Sequence, residues 1–357
     1  MRKETRLVFK GYQAHVAKLN GVDDATLKFS VEPSIHQKLE TAIQESNALL
    51  GRINIIGVDE QTGEALQIGV TGPIASRTNT GGGNRRNPGE RHALTKDTYA
   101  CKQTNFDTSF KYQTVDQWAK FPDFQTRLTS AIAQRQGLDR LTIGWHGVQA
   151  AAETNLATYP MLEDVNIGWL QKIRTGAPDR VLDEVVEASG KVTIGAKKII
   201  KVAGVDTELQ GDYETLDGLV FDAVQMLDPW HRTHPDLVVI VSRTLLHEKL
   251  LAAVEKGATS NQEENAAQEI VSRARLGGLP IVDAPFFPDG TVLVTTLSNL
   301  SIYWQEETRR RLIRDEPDYD RIADYQSVNE AYVIEDFGLV ALVENIEPFE
   351  YPAPTEA

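Results

Sequence analysis

"TGGGNRRNPGERH", residues 80–92, packs four glycines, three arginines and a proline into thirteen positions of a chain whose formal net charge is −14. Its flanks give it meaning. Upstream, "EALQIGVTG" reads as a strand. Downstream, "TYACKQTNFDTSFKYQT" alternates Thr104, Phe106, Thr108, Phe110 and Tyr112 with polar neighbours, the period of a strand. Two strands around a turn-forming stretch predict a long two-stranded arm with a glycine-rich tip. Such a hairpin is marginal alone in water, so another surface must cover it.

The tip could instead cradle phosphate. A phosphate loop needs GxxxxGK[ST], and no Lys-Ser/Thr pair follows these glycines. A dinucleotide fingerprint needs GxGxxG opening a helix, which Pro88 and Gly89 oppose. A solvated loop remains, and it leaves the concentration of arginine unexplained.

The rest of the chain is ordinary in composition. It has 357 residues, 41% hydrophobic and 25% charged, enough for a large core or two to three domains. No apolar run is long enough to cross a membrane, and the N-terminus lacks the apolar centre of a secretory signal. Cys101 is the single cysteine, so no intrachain disulfide and no cysteine-based zinc site is possible; a reducing, cytosolic origin fits. The acidic balance argues against wrapping nucleic acid tightly, because polyanion affinity comes from clustered cations. A local exception is residues 1–28, with Arg2, Lys3, Arg6, Lys10, Lys18 and Lys28 against Glu4, Asp23 and Asp24.

Val8, Tyr12, Val16 and Leu19 recur at helical spacing before Asn20-Gly21, and "VDDATLKFSVEP" reads as an extended linker. The N-terminus is therefore expected to be a basic helix on a tether, outside the core. Ser34 with Gln37 suggests a capping box for a second helix with Ile35, Leu39 and Ile43 on one stripe. "RINIIGVDE" reads as a strand. Residues 114–141 read as helical, with a kink or two abutting helices at Pro122. "MLEDVNIGWLQKIRTGAP" reads as a helix throughout, and "KVTIGAKKIIKVAG" as a hairpin turning at Gly195. "YETLDGLVFDAVQMLDPW" is helical up to Pro229. "DLVVIVSR", "LPIVDA" and "TVLVTTL" alternate with helical "TLLHEKLLAAVEK" and "NQEENAAQEIVSRARLGG", which suggests an α/β sandwich over residues 150–300. The remainder is mostly strands.

Candidate chemical sites are weak. His231 and His234 have metal-site spacing but no completing carboxylate or thiolate. The acidic turn "RDEPDYDRIADY" lacks the calcium-loop pattern and is expected to pair with the arginines at 309–311. Ser242 follows an apolar strand without the GxSxG elbow, Cys101 is expected to be inert, and the tryptophans are scattered. No catalytic residue, cofactor site or metal site is assigned. A tethered helix, a long arm and an apolar centre suit a protein covered by copies of itself.

The chain resembles the major capsid proteins of peduovirus-type tailed bacteriophages. The resemblance is carried by "RKETR", "VEPS" at 31–34, "QES" at 44–46, "RINI" at 52–55, "VTGPIAS" at 70–76 and "NFD" at 105–107. It continues in "PMLEDVNIGWLQKIR" at 160–174, "DPW" at 228–230, "PDLVVIVSR" at 235–243, "NLSIYWQ" at 299–305 and "YVIED" at 332–336. It implies an α+β Hong Kong phage-type capsid fold with N-terminal arm, extended β-hairpin loop, spine helix, peripheral and axial domains. The segments expected from it are 1–28 as a scaffold-interacting propeptide, 29–60 as the arm, 61–113 as the extended loop, 114–149 and 326–357 as the peripheral domain, and 150–325 as the axial domain.

The resemblance implies self-assembly, as hexamers and pentamers, into an icosahedral head shell enclosing phage DNA without sequence-specific binding. The implied partners are an internal scaffolding protein, a maturation protease and a portal protein. Assembly in the host cytoplasm is expected, with no membrane and no cofactor. Cleavage is expected in the window Leu27, Lys28, Phe29, Ser30 and Val31. The tip, with Gly81, Gly82, Gly83, Arg85, Arg86 and Arg91, becomes a candidate subunit contact. Two alternatives share parts of this pattern: an encapsulin-like nanocompartment shell, and an α/β enzyme holding a phosphorylated ligand on the Gly/Arg loop.

Overall fold

The computed structural model describes residues 2–70, 75, 77, 85, 86, 92–118, 124–202, 205–247 and 275–352. Its longest strand, Arg321–Ile334, anchors a seven-stranded sheet. The sheet order is Phe29–Ser30, Arg310–Glu316, Arg321–Ile334, Leu300–Gln305 and Asn54–Val58; Lys102–Asn105 and Thr108–Lys111 also pair with Arg321–Ile334. The alternation at Thr104 to Phe110 thus belongs to this sheet and not to the arm, a correction of the sequence reading. The boundary expected at 325/326 falls within Arg321–Ile334.

A second, six-stranded sheet runs Arg275–Leu276, Leu279–Val282, Val238–Val241, Val292–Thr295, Ala341–Val343 and Val181–Leu182. Val238–Val241 is parallel to Leu279–Val282 and antiparallel to Val292–Thr295. The reading of an α/β sandwich confined to 150–300 is corrected: the sheet is mixed and recruits Ala341–Val343 from the end of the chain. Val238 and Ile240 face one core; Val239 and Val241 face another beneath the helix Leu216–Ala223. Burial on both faces explains why "VVIV" is apolar without alternation.

Both sheets and the helix Phe124–His146 contribute to one main core. Helices Tyr112–Trp118 and Phe124–His146 stand on either side of Pro122, which lies outside the described residues. Trp145 and Trp169 pack in the main core with ring centroids 4.9 Å apart, and the Trp169 indole N–H donates to the Ser301 carbonyl at 2.9 Å. Gly144 makes room for this: a Cβ there would strike the Trp169 ring. The helix expected from Met161 begins only at Trp169, with turns before it that bring Gly168 onto the backbone of Ile143 and Gly144. A further correction concerns Gly195. The hairpin is Lys198–Val202 with Val205–Leu209, whereas Val192–Ile194 pairs with Ile346–Pro348. Most of the helical pattern expected between residues 244 and 274 lies outside the described residues.

Candidate assembly surfaces

The arm forms as a hairpin. Thr62–Val70 pairs with His92–Ala100 in nine registered pairs, from Thr62↔Ala100 to Val70↔His92. At about 3.4 Å per residue that ladder is ~30 Å long. The two strands form a sheet of their own. At the root, Gly63 faces Tyr99, whose hydroxyl would lie 2.5 Å from a Cβ at Gly63. Tyr99 then stacks edge-on with Tyr303, centroids 5.1 Å apart, fixing the arm to the larger sheet. Cys101 sits buried at this root, not along the arm; burial first and the nearby Glu330 second push its thiol up to about 11. Arg85 and Arg86 are exposed; Gly81, Gly82, Gly83 and Arg91 lie outside the described residues.

The N-terminal segment is helical over Lys3–Leu19, as its spacing predicts, but it is not clear of the core. Val16, Ala17, Ala25, Phe29 and Val31 pack with Val115, Ile313 and Ile322. The Arg2 backbone N–H donates to Asp116 at 2.9 Å, and Arg311 donates to the Tyr12 hydroxyl at 2.8 Å. The presumed linker is laid along the strand Arg310–Glu316: Ile313 N–H donates to Ala25 O at 3.1 Å and Val31 N–H to Arg309 O at 2.9 Å. Within the cleavage window Leu27, Lys28 and Ser30 are exposed, while Phe29 and Val31 are buried.

The helix Pro33–Glu45 starts with Glu32 as its cap and Pro33 in its first turn; the side chain of Ser34 makes no cap. Its inward residues include His36 and Glu40, a face that the Ile35/Leu39/Ile43 stripe did not reveal. Glu40 accepts from Arg140 at 2.6 and 3.0 Å and from Arg309 at 2.9 Å. Arg140 also donates to Glu330 at 2.9 Å, and Arg309 donates to Gln136 at 3.0 Å and Gln326 at 3.1 Å. All four charged groups are buried, and their formal charges cancel. Of the arginines expected to pair with the acidic stretch, Arg309 does not, but Arg311 does: it donates to Asp324 at 3.0 and 2.7 Å, while Glu316 takes Arg321 and Tyr325. Burial alone would raise the Glu40 carboxyl, but Arg140, His36 and Arg309 together outweigh it and hold it well below its ordinary value of 4.5. Glu330 is raised, because burial outweighs Arg140.

The histidine pair has local partners: His231 Nε2 lies 3.0 Å from Asp336, and His234 Nδ1 accepts from the Asp236 N–H at 3.1 Å. Among the described residues no group of His, Cys, Asp and Glu has a metal-holding arrangement, and no helix is long and apolar enough to cross a membrane.

Two sheets and a long helix sharing one main core, with a protruding hairpin and a docked N-terminal segment, define the fold of tailed-phage capsid subunits. A solved structure described as "Satellite phage P4 procapsid including size determination (Sid) protein" matches with a TM-score of 0.78 and 40% identity, over 99% of this chain and 100% of that one. The chain belongs to the family described as "Phage major capsid protein, P2 family", whose model matches residues 8–346. It is 44% identical over 360 residues to "Capsid proteins" of Escherichia phage P2, covering 100% of this chain and 98% of that one. It is 39% identical over 351 residues to the "Major capsid protein" of Serratia phage KSP20, covering 97% of each. These matches favour the phage capsid over the compartment and enzyme alternatives.

Proposed function

We propose that copies of this chain assemble, as hexamers and pentamers, into an icosahedral head shell that encloses double-stranded DNA without reading its sequence. The observation that carries this is the family match across residues 8–346 on a chain with a nine-pair hairpin outside both main sheets. Obligate assemblies bury on the order of several thousand Å² per interface, and a protruding hairpin enlarges what each copy can bury. In this reading residues 29–60 are the N-terminal arm, and the extended loop, expected at 61–113, is the hairpin from Thr62 to Ala100 with its tip. Residues 114–149 and the end of the chain form the peripheral domain and the axial domain lies between them, with a boundary outside the strand Arg321–Ile334.

The tip residues Gly81, Gly82, Gly83, Arg85, Arg86 and Arg91 lie over a neighbouring subunit. Arginine suits an acidic neighbour because its planar fork grips a carboxylate with two bonds. Residues 1–28 face the shell interior, engage an internal scaffolding protein and are cut between Leu27 and Val31 by a maturation protease. A portal protein occupies one vertex, and assembly takes place in the host cytoplasm. Electron microscopy of the purified chain tests the reading: closed shells are expected, and particles no larger than single subunits overturn it.

A further inference from the structure

The N-terminal segment covers something specific. Its helix, Lys3–Leu19, turns Val16 and Ala17 onto Val115, Ile313 and Ile322, in a cluster that shares no member with the main core. Residues 25–31 then occupy the outer edge of the strand Arg310–Glu316, with Phe29 opposite Arg311 and Ser30 opposite Arg310. Among the described residues, the ladder partners of that strand are Phe29–Ser30 on this side and Arg321–Ile334 on the other. The segment is therefore a strip laid over a strand edge and the apolar seat beside it.

The strip is held by buried side chains and backbone hydrogen bonds, yet it has exposed points and a basic balance of its own. Leu27, in its connecting turn, is 68% exposed, and Leu7 on the helix is 65% exposed. Six cations against three acids in residues 1–28 contrast with a net charge of −14 for the chain. A strand edge left open is a template for another extended chain. Strand addition joins such an edge through backbone hydrogen bonds, and pockets for alternate side chains select the partner. Arg310 and Arg314 stand exposed on the same strand, so the uncovered edge favours an acidic chain.

We propose that residues 2–31 are a cover held in cis over a docking site for a second copy of this chain. When the cover withdraws, the edge at 309–313 takes an extended segment of the neighbouring copy. The seat of Val115, Ile313 and Ile322 takes that segment's apolar side chains. The choice of partner rests on the proposed function, in which acidic copies of this chain are the neighbours at highest concentration.

The test uses the full chain with a specific protease site introduced at the exposed link between Leu27 and Lys28, held as dissociated subunits. Cut and uncut proteins are compared by hydrophobic-dye fluorescence and sedimentation, with mass spectrometry confirming loss of the segment. Cutting should raise dye fluorescence and lower the concentration for half-association roughly tenfold, and a synthetic peptide of residues 2–31 should reverse both changes. An uncut Ala17→Glu variant forces a carboxylate into the seat and should show the same two changes. Because Ala17 is no part of the main core, its melting curve should still report a folded chain. Cut and Ala17→Glu subunits that keep the parent's fluorescence and sedimentation would overturn the proposal. So would association that the peptide leaves unchanged, or equal uptake of an unrelated acidic protein. Shells from the uncut chain with no effect of cutting would remove this inference alone; absence of shells would remove the proposed function.

Discussion

At Glu40 one carboxylate sits between two guanidinium groups, with the His36 ring 3.3 Å away and almost no water in reach. Taking ions out of water is costly, so such a cluster stabilises little against an apolar replacement of equal shape; breaking it by removing one member is a different matter. Glu40→Gln leaves Arg140 and Arg309 facing Glu330 alone. The substitution should cost about 3–5 kcal/mol, read as a lower urea midpoint of the dissociated subunit. A loss below about 1 kcal/mol would mean that water enters and screens the site. The sign with pH follows from the depressed carboxyl. Glu40 contributes stability that is present above its unfolded value of 4.5 and lost as pH falls toward its lower folded value. Glu330, being raised, acts in the opposite sense and loses stability as pH rises above 4.5. The Glu40→Gln variant should therefore show a flatter acid limb than the parent in denaturation midpoints measured below pH 4.5.

The hairpin and the N-terminal segment are elements whose surfaces exceed what their own chain covers. Changing Arg85, Arg86 and Arg91 together to Glu should leave the circular dichroism spectrum and melting curve of the subunit unchanged, since Arg85 and Arg86 are exposed. Shell formation should fail, or shells should fall apart at modest salt, in electron micrographs of the triple variant. Normal, salt-stable shells would show that these arginines make no contact between subunits. For the N-terminal segment, intact mass of the subunits from mature particles should lack residues 1–28; a mass that retains Arg2 would contradict cleavage. How these elements read in sequence depended on what covers them. The strand at Val238–Val241 was legible because local pattern and final burial agree. The helix expected from Met161 was not, because Gly168 must touch the turn at Ile143 and Gly144, a requirement set by a distant element. The linker before Pro33 looked free because an edge strand of two residues carries no periodicity.

For the whole molecule, the family is one of structural proteins, and the expected outcome is no turnover and no tight cofactor. Dialysed protein analysed for metal and for bound nucleotide should hold neither at stoichiometric level. The candidate contacts were only partly legible. Glycine and arginine clustered in one stretch mark the tip, whereas Glu40, Arg140, Arg309 and Glu330 each resemble an ordinary surface charge when read locally. Only the fold brings them together, across separations of 100, 190 and 269 residues. That spacing also sets an order of events during synthesis. At about 5–20 residues per second the ribosome needs tens of seconds for a chain of this length. Until Arg309 and Glu330 emerge, the helix bearing Glu40 has no complete partner set, and its carboxylate stays in water. The nascent chain thus leaves the helix bearing Glu40 only partly fastened until nearly all of it has been made, and a truncated product lacking residue 309 keeps Arg140 as the one guanidinium on Glu40.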